Sequence, residues 1–212
     1  MARFPLPGNR MTRTFSKSDT SADWEPQRQV IEAAQSGDLD ALGTLYDAHI
    51  NQVYRYSLAR LGNIQDAEDV VGEIFIKMLN GLPRYQWRKV PFAAWLMRIA
   101  HNEVISFARR NGRRANDTEL PEELLDRGSV NDPVENAERQ LALEDLRKAV
   151  ELLPEAQREV IILRFASGLS VADTAKALSK QENNVKVLQH KGMQRLQVLM
   201  SPKYPELVQK QS

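Results

Sequence analysis

Positively charged and aromatic side chains are concentrated between Arg84 and Arg114. This stretch holds eight Arg or Lys residues against one acid, Glu103, although the formal net charge of the whole 212-residue chain is only +1. Cations bind phosphates and aromatic rings stack on unpaired bases, so the pattern is typical of a surface for single-stranded nucleic acid. An amide such as that of Asn102 reads the edge of a flipped base. The predicted contacts are Arg84, Tyr85, Trp87, Arg88, Lys89, Arg98, Asn102, Arg109, Arg110, Arg113 and Arg114.

Not every side chain of this stretch is expected to bind. Trp95 shares a helical spacing with Phe92, which favours a place in the core. Tyr85 and Trp87 fall in a predicted loop, where burial is less automatic, and binding is the favoured interpretation for both. For Glu103 and the neighbouring His101, a surface position without a role is the alternative interpretation.

Residues 170–199 predict a helix-turn-helix, a short helix followed by a turn and a longer helix. At 100° per residue, one side of the second helix is apolar (Val185, Leu188, Gly192, Leu196 and Leu199) and the other is polar around Asn183 and Gln194. Gly192 on the inner side predicts a close approach of two helices. Asn, Gln and Lys recognise base edges in a major groove, whereas a solvated face of a small bundle is the alternative. The predicted duplex contacts are Lys180, Asn183, Asn184, Lys186, Val187, His190, Lys191 and Arg195.

A polar stripe of three acids and one base follows a third predicted helix. Such a stripe beside apolar residues can dock on a helix of a partner, and an ordinary solvated face is the alternative. The predicted docking residues are Asp66, Asp69, Val70, Glu73, Ile74 and Lys77. The acids do not form the Glu-x-x-His pairs of a di-metal bundle.

Composition excludes several classes of function. The chain has no cysteine, its three histidines are far apart, and it contains no GxGxxG, P-loop or GxSxG motif. No catalytic residue, cofactor or metal site is therefore predicted, and the chain is not expected to be an enzyme. The sequence holds no apolar run of about 20 residues and no hydrophobic signal segment, which predicts a cytoplasmic protein.

Apolar residues recur at intervals of three and four, and alternating strand patterns are scarce, so the predicted fold is all-α with two small helical domains. Helices are expected over 25–34, from Asp38 or Asp40 to Gly62, from Asn63 or Asp66 to Gly81, after Pro91, and over 134–152, 155–165, 170–178 and 182–199. The predicted organisation is a disordered arm (1–23), a helical domain (24–114), a flexible acidic linker (115–133), a helix-turn-helix domain (134–200) and a tail (201–212).

These segments, in this order, resemble the sigma-70 family, specifically the extracytoplasmic-function (ECF, group 4) sigma factors of bacterial RNA polymerase. ALGTLYDAHINQVYRYSLARLGNIQDAEDVVGEIFIKML is similar to regions 2.1 and 2.2, and PFAAWLMRIAHNEVISFARRNGRR, with W-L-x-x-I-A-x-N, is similar to regions 2.3 and 2.4. LPEAQREVIILRFASGLSVADTAKAL resembles region 4.1, and SKQENNVKVLQHKGMQRL resembles the recognition helix of region 4.2. In the helix-turn-helix turn, where many relatives carry Gly, this chain has Ser179.

The resemblance implies a role for each surface. The helix from Asp66 to Lys77 would bind the clamp coiled coil of the largest polymerase subunit, and the flap region of core polymerase would be a further contact of the protein. The loop from Tyr85 to Val90 and the helix with Asn102 would hold the −10 promoter element as single strand, and the final helix would read the −35 element as duplex. The implied partners are core RNA polymerase, promoter DNA and an anti-sigma factor.

Two other classes of protein remain open at this point. A sigma-mimicking decoy would titrate an anti-sigma factor without binding DNA, and the basic stretch from Arg84 to Arg114 argues against it. A stand-alone helix-turn-helix regulator would act without polymerase, usually as a dimer on a palindrome.

Overall fold

The computed structural model describes residues 24–87, 90–111 and 133–205, with the side chains of 24–26 and 133–139 left aside. The predicted N-terminal arm, nearly all of the acidic linker and the end of the tail lie outside these residues, as do Arg88, Lys89, Arg113 and Arg114. The described part is helical and contains no strand, as the sequence predicts.

Eight α-helices follow one another in the described residues. They are α1 (Trp24–Gln35), α2 (Leu39–Leu61), α3 (Ile64–Gly81), α4 (Phe92–Asn111), α5 (Pro133–Glu151), α6 (Glu155–Ile161), α7 (Val171–Ala177) and α8 (Glu182–Met200). A 3-10 turn, Leu82–Arg84, extends α3, and a π-helical segment, Ile162–Ala166, extends α6. The predicted boundaries agree with these to within a few residues because caps and breakers act locally.

Side-chain caps fix three of the helix starts. The Asp38 carboxylate accepts from the backbone N–H groups of Asp40 and Ala41 at 2.9 and 3.1 Å, which selects Asp38 over Asp40 as the cap of α2. Asn63 accepts from the N–H of Asp66 at 3.0 Å, and Ser170 accepts from the N–H of Asp173 at 3.0 Å. The sequence predicts the cap at Ser170, and of its two candidates for α3, Asn63 and Asp66, the structure selects Asn63.

The chain divides into two compact units, Met1–His49 and Ile50–Ser212. In the described part of the first unit, Ile31, Ala34, Ala41 and Leu45 are buried. The second unit begins inside α2 and holds the remaining helices.

Apolar clusters between the helices organise the second unit. Helix α3 packs against α4, and the fully buried side chains of this pair include Val70, Ile74, Phe92 and Leu96. Helices α5, α6 and α8 enclose another cluster, which is Ala149, Leu153, Ile161, Leu196 and Met200. The inner side of α8 differs from the prediction at its end, because Leu199 is 40% exposed and Met200 is buried instead.

Gly192 on α8 lies directly against α6. A Cβ atom at this position would come within 2.9 Å of Ile161 Cγ1 and 3.2 Å of its Cδ1. The close helix approach predicted from Gly192 is therefore confirmed.

Gly192→Ala is expected to lower the free energy of unfolding by about 1–3 kcal/mol, because the cost of overpacking exceeds the gain in helix propensity. Gly72→Ala on α3 is the matched control, since a Cβ there would meet nothing within 4 Å. This control is expected to be neutral or stabilising. Urea unfolding of both variants measures the difference, and equal effects would contradict the close packing of α8 on α6.

Candidate nucleic-acid interface

Helices α7 and α8 form the predicted helix-turn-helix. Val160, Ala175 and Val185 pack together at the contact of α6, α7 and α8. The turn between α7 and α8 is closed by the hydrogen bond from the Lys180 N–H to the Ala175 carbonyl, at 2.8 Å. This packing leaves one side of α8 free of the core.

The exposed side of α8 carries polar and basic groups from its first residue onward. Of the predicted duplex contacts, Lys180 is half-buried and seven are exposed: Asn183, Asn184, Lys186, Val187, His190, Lys191 and Arg195. Val187 is an apolar residue among them, with half of its surface exposed. These groups have the chemistry that recognises base edges and phosphates in a major groove.

Arg164 holds α8 in its orientation and was not among the predicted site residues. Its Nε donates to Gln189 Oε1 on α8 at 2.9 Å, and its guanidinium also donates to the carbonyl of Leu169, which precedes α7. A long-range contact of this kind leaves no periodic trace in the sequence.

Ser179, in the turn between α7 and α8, has a backbone φ of +54°. This is the left-handed region, which costs a residue with a Cβ about 1–2 kcal/mol relative to Gly. The structure thus explains why glycine suits this position.

Ser179→Gly is expected to be more stable than Ser179→Ala by about 1 kcal/mol. Both substitutions remove the hydroxyl, which accepts from Arg98, so their difference isolates the backbone conformation. Thermal and urea unfolding of the two variants measure it. Equal stabilities would show that the turn relaxes without cost.

The basic stretch places its described cations on the surface of α4 and just before it. Arg84, Arg98, Asn102, Arg109 and Arg110 are exposed, and Trp87 is half-buried. Their chemistry and exposure fit contacts to phosphates and unpaired bases.

Tyr85 does not fit the prediction of a base-stacking residue. It is 7% exposed, its ring lies 4.9 Å from that of Trp95 and 5.6 Å from that of Phe92, and its hydroxyl donates to the Val90 carbonyl at 2.6 Å. Burial raises the pKa of the Tyr85 phenol well above its usual range. The prediction for Tyr85 is wrong because the loop folds its ring onto the start of α4, and the residue shapes the loop from inside.

Glu103 and His101 are not the roleless surface residues that the sequence suggests. Glu103 is 3% exposed and binds both Lys77 of α3 and Arg110, the latter at 3.0 Å. His101 Nδ1 lies 3.0 Å from Glu159 Oε2. The carboxylates of Glu103 and Glu159 therefore each connect segments that are distant in sequence.

The stability of the protein is expected to depend on the ionisation of Glu103. The hydrogen bond from Lys77 is the main reason that the pKa of Glu103 lies below its ordinary value; burial opposes it, and Arg110 acts with Lys77. Because the folded-state pKa is depressed, this stabilisation is present above the unfolded value of about 4.3 and is lost as the pH falls through the folded value. Urea unfolding between about pH 6 and pH 3 measures the effect. The free energy of unfolding is expected to fall more steeply for the wild type than for Glu103→Gln. Parallel curves would contradict this role.

The predicted docking stripe on α3 is partly a surface and partly core. Asp69, Glu73 and Lys77 are exposed and Asp66 is half-buried, but Val70 and Ile74 are 0% exposed. The inclusion of Val70 and Ile74 as docking residues is therefore wrong, because these side chains pack inside the protein. The apolar groups that α3 does expose are Ile76 (54%) and Leu79 (46%), which sequence reasoning missed.

Two features are absent from the part of the chain that the structure describes. Within that part of the chain, no helix is long and apolar enough to cross a membrane. The same residues hold no group of three or more His, Asp or Glu that would bind a metal ion.

Comparisons with known proteins agree with the arrangement of these helices. The model of Sigma-70 region 2 matches residues 45–114, and that of Sigma-70, region 4 matches residues 143–196. The chain is 35% identical over 173 residues to the ECF RNA polymerase sigma factor BldN of Streptomyces coelicolor, covering 81% of this chain and 65% of BldN. It thus spans slightly less than two thirds of that relative.

A second relative supports the same assignment, and a solved structure supports the fold. The ECF RNA polymerase sigma factor SigD of Mycobacterium tuberculosis is 35% identical over 173 residues, covering 79% of this chain and 80% of SigD. The structure of CnrH in complex with the cytosolic domain of CnrY superposes on this chain with a TM-score of 0.66 at 24% identity. The match covers 83% of this chain and 97% of CnrH, and it supports the fold. The chain therefore belongs to the sigma-70 family and, within it, to the ECF RNA polymerase sigma factors, which are non-enzymatic transcription initiation factors.

Proposed function

We propose that this ECF sigma factor binds core RNA polymerase through α3, reads a −35 element as duplex with α8, and holds the single strand of a −10 element with α4 and the loop before it. The exposed face of α8 is the observation that carries the proposal. A side chain on this face reaches a major groove without disturbing the core, because α6 and α7 support α8 from the other side.

Opening of the −10 element is proposed to depend on the exposed part of the basic stretch. Arg84, Arg98, Arg109 and Arg110 supply phosphate contacts, and Asn102 and Trp87 supply contacts to unstacked bases. Trp87 takes the stacking role alone, since the Tyr85 ring is buried. Extruding a base costs a few kcal/mol, which these contacts offset.

Polymerase binding is proposed for the exposed side of α3. Asp69 and Glu73 offer charge, and Ile76 offers apolar surface on the same side of the helix, within about 60° of both acids at 100° per residue. The clamp coiled coil is the proposed contact of this face, and the flap region that of the helix-turn-helix domain.

A protein partner that masks the free sigma factor is also proposed. CnrH, whose fold this chain shares, was solved with the cytosolic domain of CnrY bound. We propose an anti-sigma factor as the partner of this chain, and we place the chain in the bacterial cytoplasm with polymerase. We also propose that the protein is organised in the five segments that the sequence predicts.

The test is a reconstitution with purified components. The protein is mixed with bacterial core RNA polymerase, separated by gel filtration, and the holoenzyme is used for run-off transcription of fragmented genomic DNA followed by sequencing of the transcripts. Stoichiometric co-elution and transcripts that share upstream −35 and −10 elements support the proposal. Binding to DNA without polymerase would favour a stand-alone regulator, and binding to an anti-sigma factor without polymerase or DNA would favour a decoy.

A further inference from the structure

Glu159 on α6 is the centre of a cluster of four side chains, of which two are buried and two are partly buried. Glu159 is 4% exposed, and its Oε2 accepts a hydrogen bond from the Tyr56 hydroxyl at 3.0 Å and lies 3.0 Å from His101 Nδ1. Its Oε1 lies 2.8 Å from the Arg60 guanidinium. The four residues Tyr56, Arg60, His101 and Glu159 are called the Glu159 cluster below.

The charges of Glu159 and Arg60 are paired with each other only while the members of the Glu159 cluster are together. Tyr56 is fully buried, and the Arg60 side chain is 10% exposed. Burial by itself raises the pKa of Glu159, but the hydrogen bond from His101 and the charge of Arg60 outweigh it and hold the pKa below its ordinary value. Glu159 is thus a carboxylate near neutral pH, and separating it from Arg60 without access to water would leave two buried charges unpaired.

The cluster joins the two family regions to each other within the second unit. Tyr56, Arg60 and His101 lie in the Sigma-70 region 2 match, whereas Glu159 lies in the region 4 match. Two more contacts make the same connection: Gln52 Nε2 donates to the Ser167 carbonyl at 2.7 Å, and Arg98 donates to Ser179 Oγ. Helix α4 accordingly packs along α7.

This closed arrangement cannot read a promoter. Two elements centred about 25 base pairs apart are about 85 Å apart along B-form DNA, at about 3.4 Å per pair. Helices α4 and α8 are each only about 30 Å long, at 1.5 Å per residue, and the Arg98 side chain on α4 touches the turn that leads into α8. The contact also engages Arg98, a proposed −10 contact, beside Lys180, a proposed −35 contact.

We propose that the Glu159 cluster is an autoinhibitory latch, which holds the helix-turn-helix against α4 and must break before the two promoter elements are bound together. This inference rests on the proposed function for its consequence in transcription. The latch itself is a property of the free protein and is tested without DNA.

The first test measures a distance in the free protein. The chain has no cysteine, so Asn80→Cys on α3 and Val198→Cys on α8, both exposed positions, supply two unique sites for spin labels. Pulsed dipolar spectroscopy is expected to give one narrow distance in this background. Adding Glu159→Gln is expected to lower the ratio of closed to open molecules by at least about tenfold, because Arg60 loses its buried counter-ion.

Glu155→Gln is the matched control for this substitution. Glu155 lies on the same helix and also pairs with Arg60, at 2.9 Å, but its side chain is 56% exposed. The Glu155→Gln substitution is expected to leave the distance between the two spin labels unchanged. Circular dichroism and thermal unfolding verify that each variant is folded. A folded Glu159→Gln protein with the parent distance distribution would overturn the latch.

A second test holds the latch shut. Gln52→Cys and Ser167→Cys lie at a cross-connection outside the proposed DNA and polymerase surfaces, and a bifunctional thiol-reactive linker that a reductant cleaves bridges them. The linked protein is expected to lose run-off transcription by at least about tenfold and to recover it on reduction. Equal activity before and after reduction would overturn the latch. Absence of activity in the unlinked wild type would instead contradict the proposed function, whatever the first test shows.

Discussion

Asp69→Ala combined with Glu73→Ala is expected to weaken binding to core RNA polymerase by at least about tenfold, which corresponds to about 1.4 kcal/mol. Both carboxylates are exposed on α3, so their removal changes the surface and leaves the core unaltered. Ile76→Ala is expected to weaken binding by a comparable factor, because Ile76 is 54% exposed beside them and an apolar anchor contributes most where it is desolvated on binding. Fluorescence anisotropy of the labelled sigma factor, titrated with core polymerase, measures both effects.

Glu68→Ala is the matched control on the same helix. Glu68 is exposed and lies about 140° around α3 from Glu73, at 100° per residue. It is expected to bind polymerase within about twofold of the wild type, since exposed charges outside an interface contribute little. Equal losses in the control and the double variant would show a general charge effect and would contradict a specific face.

Val70→Ala distinguishes surface from core on this helix. Val70 is fully buried, so truncating it is expected to lower the free energy of unfolding by about 1–3 kcal/mol. Polymerase affinity of the molecules that remain folded is expected to stay near that of the wild type. This contrast with Ile76 follows from the structure and reverses the expectation from sequence, which assigned Val70 and Ile74 to the docking surface.

A periodic pattern predicts that a helix has an apolar side but does not determine what that side packs against. The spacing of Val70 and Ile74 predicts an apolar side of a helix correctly, but the same spacing suits a side that packs inward and one that awaits a partner. The position of α4 decides between them, and it is a tertiary contact. Helix starts at Asn63 and Ser170 were predictable for the opposite reason, since a cap is a bond between residues three apart.

Long-range polar contacts account for the remaining differences. Glu103 meets Lys77 across 26 positions of sequence, and Glu159 meets Tyr56 across 103, so neither pair leaves a local pattern. The prediction for Tyr85 was wrong for a related reason, because its ring is buried by Phe92 and Trp95 once the loop turns back on α4. The face of α8 was predictable because exposure along a single helix follows its 3.6-residue period. Only its last turn, at Leu199 and Met200, depends on neighbouring elements.

Lys186→Ala and His190→Ala are each expected to reduce affinity for −35 duplex by about tenfold or more and to leave polymerase binding unchanged. A good base contact contributes about 1–3 kcal/mol of discrimination, and both side chains are exposed in the first half of α8, the N-terminal part with which a recognition helix meets base edges. Binding of the holoenzyme to the promoter fragment recovered by run-off sequencing measures the loss. Lys148→Ala on α5 is the charge-matched control, because its ammonium is exposed and pairs with Glu144 at 2.8 Å.

The salt dependence of these variants distinguishes a phosphate contact from a base contact. A phosphate contact at Lys186 predicts that Lys186→Ala lowers the slope of log affinity against log salt by about one and weakens all sequences alike. A base contact at His190 predicts that His190→Ala changes the slope less than Lys186→Ala does and relaxes the preference at one position of the element. Unchanged affinity in both variants, with polymerase binding intact, would remove α8 as the −35 reader. The duplex contact would then have to lie elsewhere on the helix-turn-helix. The Glu159 cluster would still connect α6 to α2 and α4, but it would have no proposed effect on promoter recognition.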